Sequence, residues 1–197
     1  MAKQQYVHIF KRRRAGKTDY RKRRGLIMGR KPFLTVRISN KYIYGQVLSP
    51  TAKGDLTLCA SSSRDLAKDY GWKGSTKNLP SAYLAGYVLG KEAKRKNVEE
   101  ATVYTGTARF IHGSRIAAFL GGAKDGGLKI AVGEQVIPDE NTIKGSHISE
   151  YAKKLSTDAE SYKRRFSKLL ASGLKPEDYS THFDSVKSSI DSKVTSK

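Results

Sequence analysis

Residues 33–48 read FLTVRISNKYIYGQVL, and this stretch decides the fold. Two runs rich in β-branched and aromatic residues, 33–38 and 42–48, flank Ser39-Asn40-Lys41, where Asn40 tolerates the positive φ that a tight hairpin needs. The pattern predicts a β-hairpin. Downstream, a Lys53-Gly54-Asp55 turn leads into Leu56, Leu58 and Ala60 alternating with Thr57, Cys59 and Ser61. That alternation predicts a third antiparallel strand with one buried face.

Three strands then yield to a helix. Asn78 is a suitable N-cap, Pro80 sits in the first turn where its missing N–H does no harm, and Lys94-Arg95-Lys96 complements the dipole before a stop at Asn97. Ala82, Ala85, Gly86, Gly90 and Ala93 give this helix a small-residue side suited to close packing on a sheet, with Tyr83, Tyr87 and Leu89 supplying bulk. Residues 101–105 predict a fourth, short strand, and residues 114–120 a second helix ending in Gly121-Gly122. The order βββαβα places the chain in the α/β class, as a compact mixed sheet with helices packed on it.

Beyond the Pro138-Asp139-Glu140 turn the tail is helical in three pieces. Ile148, Tyr151, Ala152 and Leu155 keep helical spacing, as do Tyr162, Phe166, Leu169 and Leu170, and then Tyr179, Phe183, Val186 and Ile190. Thr157 with Glu160 reads as a capping box for the middle piece, and Ser172-Gly173 as its stop. These apolar faces need cover, from the core or from a partner.

Charge divides the 197 residues further. The formal balance is +20, and residues 1–31 carry 12 basic residues against one acidic, residues 32–150 carry 16 against 11, and residues 151–197 carry 10 against 6. The division expected is an extended basic arm over 1–31, an α/β core domain over 32–150 and a C-terminal helical extension over 151–197. A block as charged as the first repels itself and is expected to be mobile until it meets a polyanion.

Other function classes fare poorly. The longest uncharged stretch, residues 78–90, is too short to span a bilayer, and residues 11–14 interrupt the N-terminus before a signal-peptide apolar region could form. Cys59 is the single cysteine, so neither an internal disulfide nor a multi-cysteine zinc site is available, which fits the cytosol. Gly16-Lys17-Thr18 imitates the end of a P-loop, but Lys11 stands where the first glycine belongs and no apolar strand precedes it. Gly121-Gly122 and Gly126-Gly127 lack dinucleotide-binding spacing and read as turn and close-packing positions.

His8, His112, His147 and His182 are scattered, and only His147 with Glu150 has a ligand-like spacing, so no metal or cofactor is expected. Cys59 lies mid-strand without an evident activator. Asp55, Asp65, Asp69, Asp125, Asp139 and Glu140 sit at predicted turns and segment ends, which suits solvated surface better than a two-metal nuclease. No catalytic residue and no small-molecule substrate are expected.

The arm carries the functional signal. Arg12-Arg13-Arg14, Lys17, Arg21-Lys22-Arg23-Arg24 and Arg30-Lys31 are interleaved with Tyr6, Phe10 and Tyr20. Guanidinium groups fork onto phosphates and aromatic rings stack on unpaired bases, so this pattern points to RNA. With ~6–8 phosphates engaged, raising salt from ~50 to ~200 mM costs on the order of 10³–10⁵ in affinity on the duplex-DNA slope, and less for single strands. An RNA-processing nuclease and a DNA-architectural protein are the alternatives; the first needs clustered acidic ligands, the second accepts any duplex.

Residues 12–20, RRRAGKTDY, closely resemble the N-terminal signature of the archaeal and eukaryotic ribosomal proteins of the L-eighteen (eukaryotic L-five) family. Residues 36–43, VRISNKYI, are similar to that family's first hairpin, Gly54-Asp55 and Cys59-Ala60 to its third-strand region, and Asn78, Ala82-Tyr83 and Gly86 to the start of its first helix. Residues 137–140 and 143–148 resemble the archaeal segment before the C-terminal helices, and residues 162–166 and Pro176-Glu177-Asp178 resemble parts of those helices. The chain departs at Ala131-Val132-Gly133, where the family is expected to carry Pro-His before the glycine.

The resemblance implies a non-catalytic protein of the large ribosomal subunit that binds 5S ribosomal RNA in the central protuberance. The implied partners are 5S RNA, large-subunit RNA and neighbouring proteins, including the L-five type of the bacterial nomenclature. Carried onto this sequence, the RNA-binding residues expected are Arg12, Arg13, Arg14, Lys17, Thr18, Tyr20, Arg21, Arg23 and Arg24, with Arg30 from the same arm, then Asn40, Lys41 and Tyr42 at the hairpin. The short tail favours the archaeal form.

Overall fold

The computed structural model describes residues 8–51 and 53–195. In chain order the elements are α1 (Lys11–Arg14), α2 (Tyr20–Met28), β1 (Phe33–Ile38), β2 (Ile43–Thr51), β3 (Gly54–Ser62), α3 (Ser63–Asp69), α4 (Leu79–Arg95), β4 (Thr102–Val103), α5 (Arg115–Asp125), α6 (Glu140–Lys144), α7 (Ser146–Leu155), α8 (Ala159–Ala171) and α9 (Tyr179–Thr195). Among the described residues the sheet has four strands in the order β3-β2-β1-β4, with β4 parallel to β1 and the other neighbours antiparallel. The expected mixed α/β architecture is the one observed.

Strand β1 pairs with β2 from Phe33↔Leu48 to Ile38↔Ile43. The turn between them works differently from expectation: Asn40 does not take a positive φ, which among described non-glycine residues occurs at Arg30 and Asn97. Instead the Ser39 N–H and hydroxyl both donate to the Tyr42 carbonyl, and the Tyr42 N–H donates to Ser39 Oγ at 2.9 Å. A serine side chain supplies the closure without a left-handed residue.

Strand β3 also differs from a simple alternation. Val47 faces Cys59 and Leu48 faces Thr57, so Leu58 is an extra residue, a bulge that switches sides along the strand. The buried face therefore belongs to Cys59 and Ser61, while Leu56 is 59% exposed near the hairpin tip. The Ser61 hydroxyl is satisfied by donating to the Ala85 carbonyl at 2.8 Å.

Helices α4 and α5 pack on the face built by Leu34, Val36, Ile43, Val47 and Cys59. Asn78 caps α4 by accepting from the Ser81 N–H, and Asn97 ends it at φ 57°, both as the sequence predicts. The small-residue side of α4 meets α5 rather than the sheet. A Cβ at Gly86 would lie 2.0 Å from the Phe119 carbonyl oxygen, and one at Gly90 would lie 2.4 Å from that of Ala123. Helix α5 accordingly runs past Gly121-Gly122, and a Cβ at Gly122 would meet the Tyr83 carbonyl oxygen at 2.0 Å. Those glycines are contact positions inside the helix, not its end.

The expected fourth strand shrinks to two residues. Three helices are unexpected or start elsewhere than expected: α3, capped by the Ser62 hydroxyl, α6 over the expected Glu140 turn, and α8, capped by Asp158 rather than by a Thr157–Glu160 box. Helix α8 bends at Phe166, whose ring is buried between Tyr151 and Tyr162. Ser172-Gly173 does stop it, with Gly173 at φ 73°.

The last helix closes on the core. Tyr179, Phe183, Val186 and Ile190, at helical spacing, are all at most 3% exposed and belong to the same core cluster as α4. Lys187 lies over the rings of both Tyr83 and Tyr87, and Asp191 accepts from the Tyr87 hydroxyl at 2.7 Å while pairing with Lys91 at 2.9 Å. Trp72 stacks on His182 at 5.2 Å, and Asn78 Nδ2 donates to the Tyr179 hydroxyl.

Candidate nucleic-acid interface

Residues 8–31 hold two helices joined by a tight turn. Gly16 at φ 64° allows the reversal, the Lys17 N–H donates to the Arg12 carbonyl at 2.9 Å, and Arg12 Nε donates to Thr18 Oγ1 at 2.9 Å. Thr18 is thus 9% exposed and acts as an internal brace rather than as a free hydroxyl. Asp19 caps α2 by accepting from the N–H groups of Arg21 and Lys22. The arm's single acidic residue is engaged with backbone donors.

Neither α1 nor α2 has a buried residue, yet α2 has two distinct sides. Tyr20, Arg23 and Leu26, three residues apart, are half-buried, while Arg21, Lys22, Arg24, Gly25 and Met28 are exposed. On the inner side Arg23 forms an ion pair with Asp55 at the β2–β3 hairpin and lies 5.7 Å from the centre of the Phe33 ring. Phe33 in turn meets Tyr104 edge-on at 5.7 Å. The hydrogen bond to Asp55 raises the Arg23 pKa further. Of the expected RNA contacts, Thr18 and Arg23 are therefore engaged with the protein itself.

The outward residues form a cationic surface. Arg12, Arg13, Arg14, Lys17, Arg21, Arg24 and Arg30 are exposed, and a cleft of 270 Å³ opens beside Arg13, Arg21 and the capping Asp19. Phe10, 69% exposed, leans on Tyr20 with ring centres 5.3 Å apart. Tyr6 lies outside the described residues. Lys31 pairs with Glu100 at 2.9 Å and ties the arm's end to the β4 side.

The hairpin residues Asn40, Lys41 and Tyr42 are not brought to this patch. They lie at the opposite end of β1 from Phe33, about 20 Å away at the ordinary strand rise. The Lys41 carbonyl accepts from Thr76 Oγ1 at 2.8 Å, and Tyr42 packs edge-on to Tyr44, which is 40% exposed. The tip is braced from behind, leaving the Lys41 side chain outward.

Other chemistry does not assemble. Among the described residues no group of three or more His, Cys, Asp and Glu converges. Asp55, Asp125 and Glu140 are separately engaged by Arg23, Tyr83 and Lys144. Burial first, and Glu92 second, push the Cys59 thiol up to about 11, so it holds its proton at neutral pH. No described helix is long and apolar enough to cross a membrane.

A family model for ribosomal large subunit proteins 60S L5 and 50S L18 matches residues 4–108. The large ribosomal subunit protein uL18 of Caldivirga maquilingensis is 45% identical over 186 residues, covering 94% of this chain and 90% of that protein. Its counterpart from Methanothermobacter thermautotrophicus is 44% identical over 189 residues, covering 96% and 97%. The chain belongs to the uL18 family.

As a uL18 family member it is a structural component of the large ribosomal subunit, works in the cytoplasm and is not an enzyme. The uL18 resemblance carried by RRRAGKTDY is thereby established over almost the whole chain. Sequence reasoning missed Asp55 as a partner of the arm, because Gly54-Asp55 reads locally as turn chemistry. The signal available was chemical: an isolated carboxylate at a hairpin tip beside a chain segment rich in arginine.

Proposed function

We propose that this protein binds 5S ribosomal RNA and attaches it to large-subunit RNA in the central protuberance, beside neighbouring proteins that include the bacterial L-five type. The observation that carries the reading is the outward cationic surface of α1 and α2, where Arg12, Arg13, Arg14, Lys17, Arg21 and Arg24 are exposed and the one acidic residue, Asp19, is engaged in capping α2. These side chains, with Arg30, neutralise phosphates, and Tyr20 with Phe10 offers ring surface to an unpaired base. Thr18 and Arg23 belong to the same binding element from its inner side.

Asn40, Lys41 and Tyr42 form a second contact. The hairpin stands at one end of β1 and the arm's Arg23 anchor at the other, about 20 Å apart, and two separated contacts of this kind read the shape of a folded RNA, which charge alone cannot do. In this reading residues 1–31 are the RNA-binding arm, residues 32–150 the scaffold, and residues 151–197 a helical extension anchored through α9.

The test is binding of the full chain to folded 5S ribosomal RNA, to a scrambled RNA of equal length and to a DNA duplex over a salt series. A preference for 5S RNA that persists as salt rises supports the proposal. Equal affinities that collapse together overturn it and leave a general polyanion binder.

A further inference from the structure

We infer that Arg23 is a positioning residue: its ion pair with Asp55, backed by the Phe33 ring, docks helix α2 on the β2–β3 hairpin and so aims Arg21 and Arg24 at the RNA before binding. The inference rests on the reading of the arm as the RNA-binding element. Its basis is the two-sidedness of α2, whose half-buried residues Tyr20, Arg23 and Leu26 repeat at helical spacing while the basic residues flanking Arg23 point to solvent.

The docking is built rather than incidental. The side chains of Arg23 and Asp55 each retain only 24% of their exposure, and the guanidinium is placed over Phe33, itself 1% exposed and at the start of the central strand β1. The other anchors of this helix are partial: Tyr20 and Leu26 are only half-buried, α2 contributes no fully buried residue, and beyond it Lys31 pairs with Glu100 through side chains about half exposed. An exposed helix of nine residues is marginal in water, so a single partly desolvated charge pair can decide where it sits.

The consequence is a sign that charge counting gets wrong. Removing Asp55 raises the net charge by one and frees a guanidinium, so a purely electrostatic arm would bind RNA more tightly. A docked arm would bind less tightly, because the competent orientation becomes a minor population and the apparent Kd rises by the inverse of that fraction.

The experiment measures 5S ribosomal RNA binding at fixed salt for the full chain and four variants: Asp55→Ala, Arg23→Asp, the charge swap Arg23→Asp with Asp55→Arg, and Arg12, Arg13 and Arg14 together to alanine. Asp55→Ala is expected to weaken binding about tenfold if docking falls to about one molecule in ten. The swap is expected to restore most of what Arg23→Asp loses, which a direct phosphate contact at Arg23 cannot do. Unchanged or tighter binding by Asp55→Ala, with the triple alanine variant impaired, overturns the positioning role alone. If the triple variant also binds as the parent does, the arm reading falls and the positioning role falls with it.

Discussion

Two side chains, one buried and one half-buried, show how the fold sets the chemistry of single residues. Cys59 is 2% exposed, and its thiol is held protonated up to about pH 11 by burial and then by Glu92. A thiol reagent at pH 8 is therefore expected to leave the native chain unmodified and to label it fully once unfolded, which intact mass measurement reads directly. His182 stacks on Trp72 and accepts the Lys73 N–H at 3.1 Å, and burial first, then Lys73, lowers its pKa below the ordinary 6.5. The unfolded chain thus binds the proton more readily. Stability from His182 is present in full above pH 6.5 and is lost as pH falls below it toward the depressed native value. The midpoint of thermal unfolding is expected to drop between pH 7 and pH 5, with part of that drop absent in His182→Gln. Caps are the residue-scale features most legible in sequence: Asn78 and Asn97 each have a local chemistry that names its job. Asp158 displaced the expected Thr157 because both offer an oxygen one position apart, and only the helix start decides which is used.

Among elements, the α4–α5 pair shows where sequence patterning stops informing. Gly86 and Gly90 on one helix, Gly122 and Gly126 on the other, repeat at four-residue spacing, and each faces backbone of its partner. A small-residue stripe asks for a close neighbour without saying whether that neighbour is a sheet or a helix. Because paired glycines also resemble a stop, α5 reads short by five residues in sequence. The β3 bulge is opaque for a related reason: one extra residue at Leu58 is invisible to a period-two pattern yet reverses which side chains are buried. Gly122→Ala separates the two readings of that glycine. As a left-handed helix stop it would lose only about 1 kcal/mol on change to alanine; inside the crossing the added Cβ meets the Tyr83 carbonyl oxygen at 2.0 Å. The gain of ~1 kcal/mol in helix propensity is outweighed by overpacking of about 3 kcal/mol against backbone that cannot rotate away. The net loss of ~2 kcal/mol is expected to lower the thermal midpoint by roughly 4–8 °C, measured by circular dichroism.

At the scale of the whole molecule, the core that carries stability and the basic surface proposed to bind RNA occupy different parts of the chain. The core cluster runs through β1–β3, α4, α5 and α9, whereas α1 and α2 contribute no buried residue while residues 1–31 hold 12 of the 38 basic residues. A surface built this way puts its free energy into counterion release on binding rather than into folding. Arg12, Arg13 and Arg14 are all exposed, and apart from the Arg12–Thr18 hydrogen bond they brace nothing in the core. Replacing the three by alanine is therefore expected to leave thermal unfolding within about 0.5 kcal/mol of the parent, as ordinary surface substitutions do. Binding should respond in the opposite way. Three fewer phosphate contacts flatten the slope of log affinity against log salt by about 2 for single-stranded segments and up to about 3 for duplex. A salt series on parent and variant, paired with thermal melts of both, checks the separation: a changed slope with an unchanged melt upholds it, and a changed melt shows that the arm supports the fold as well as the RNA.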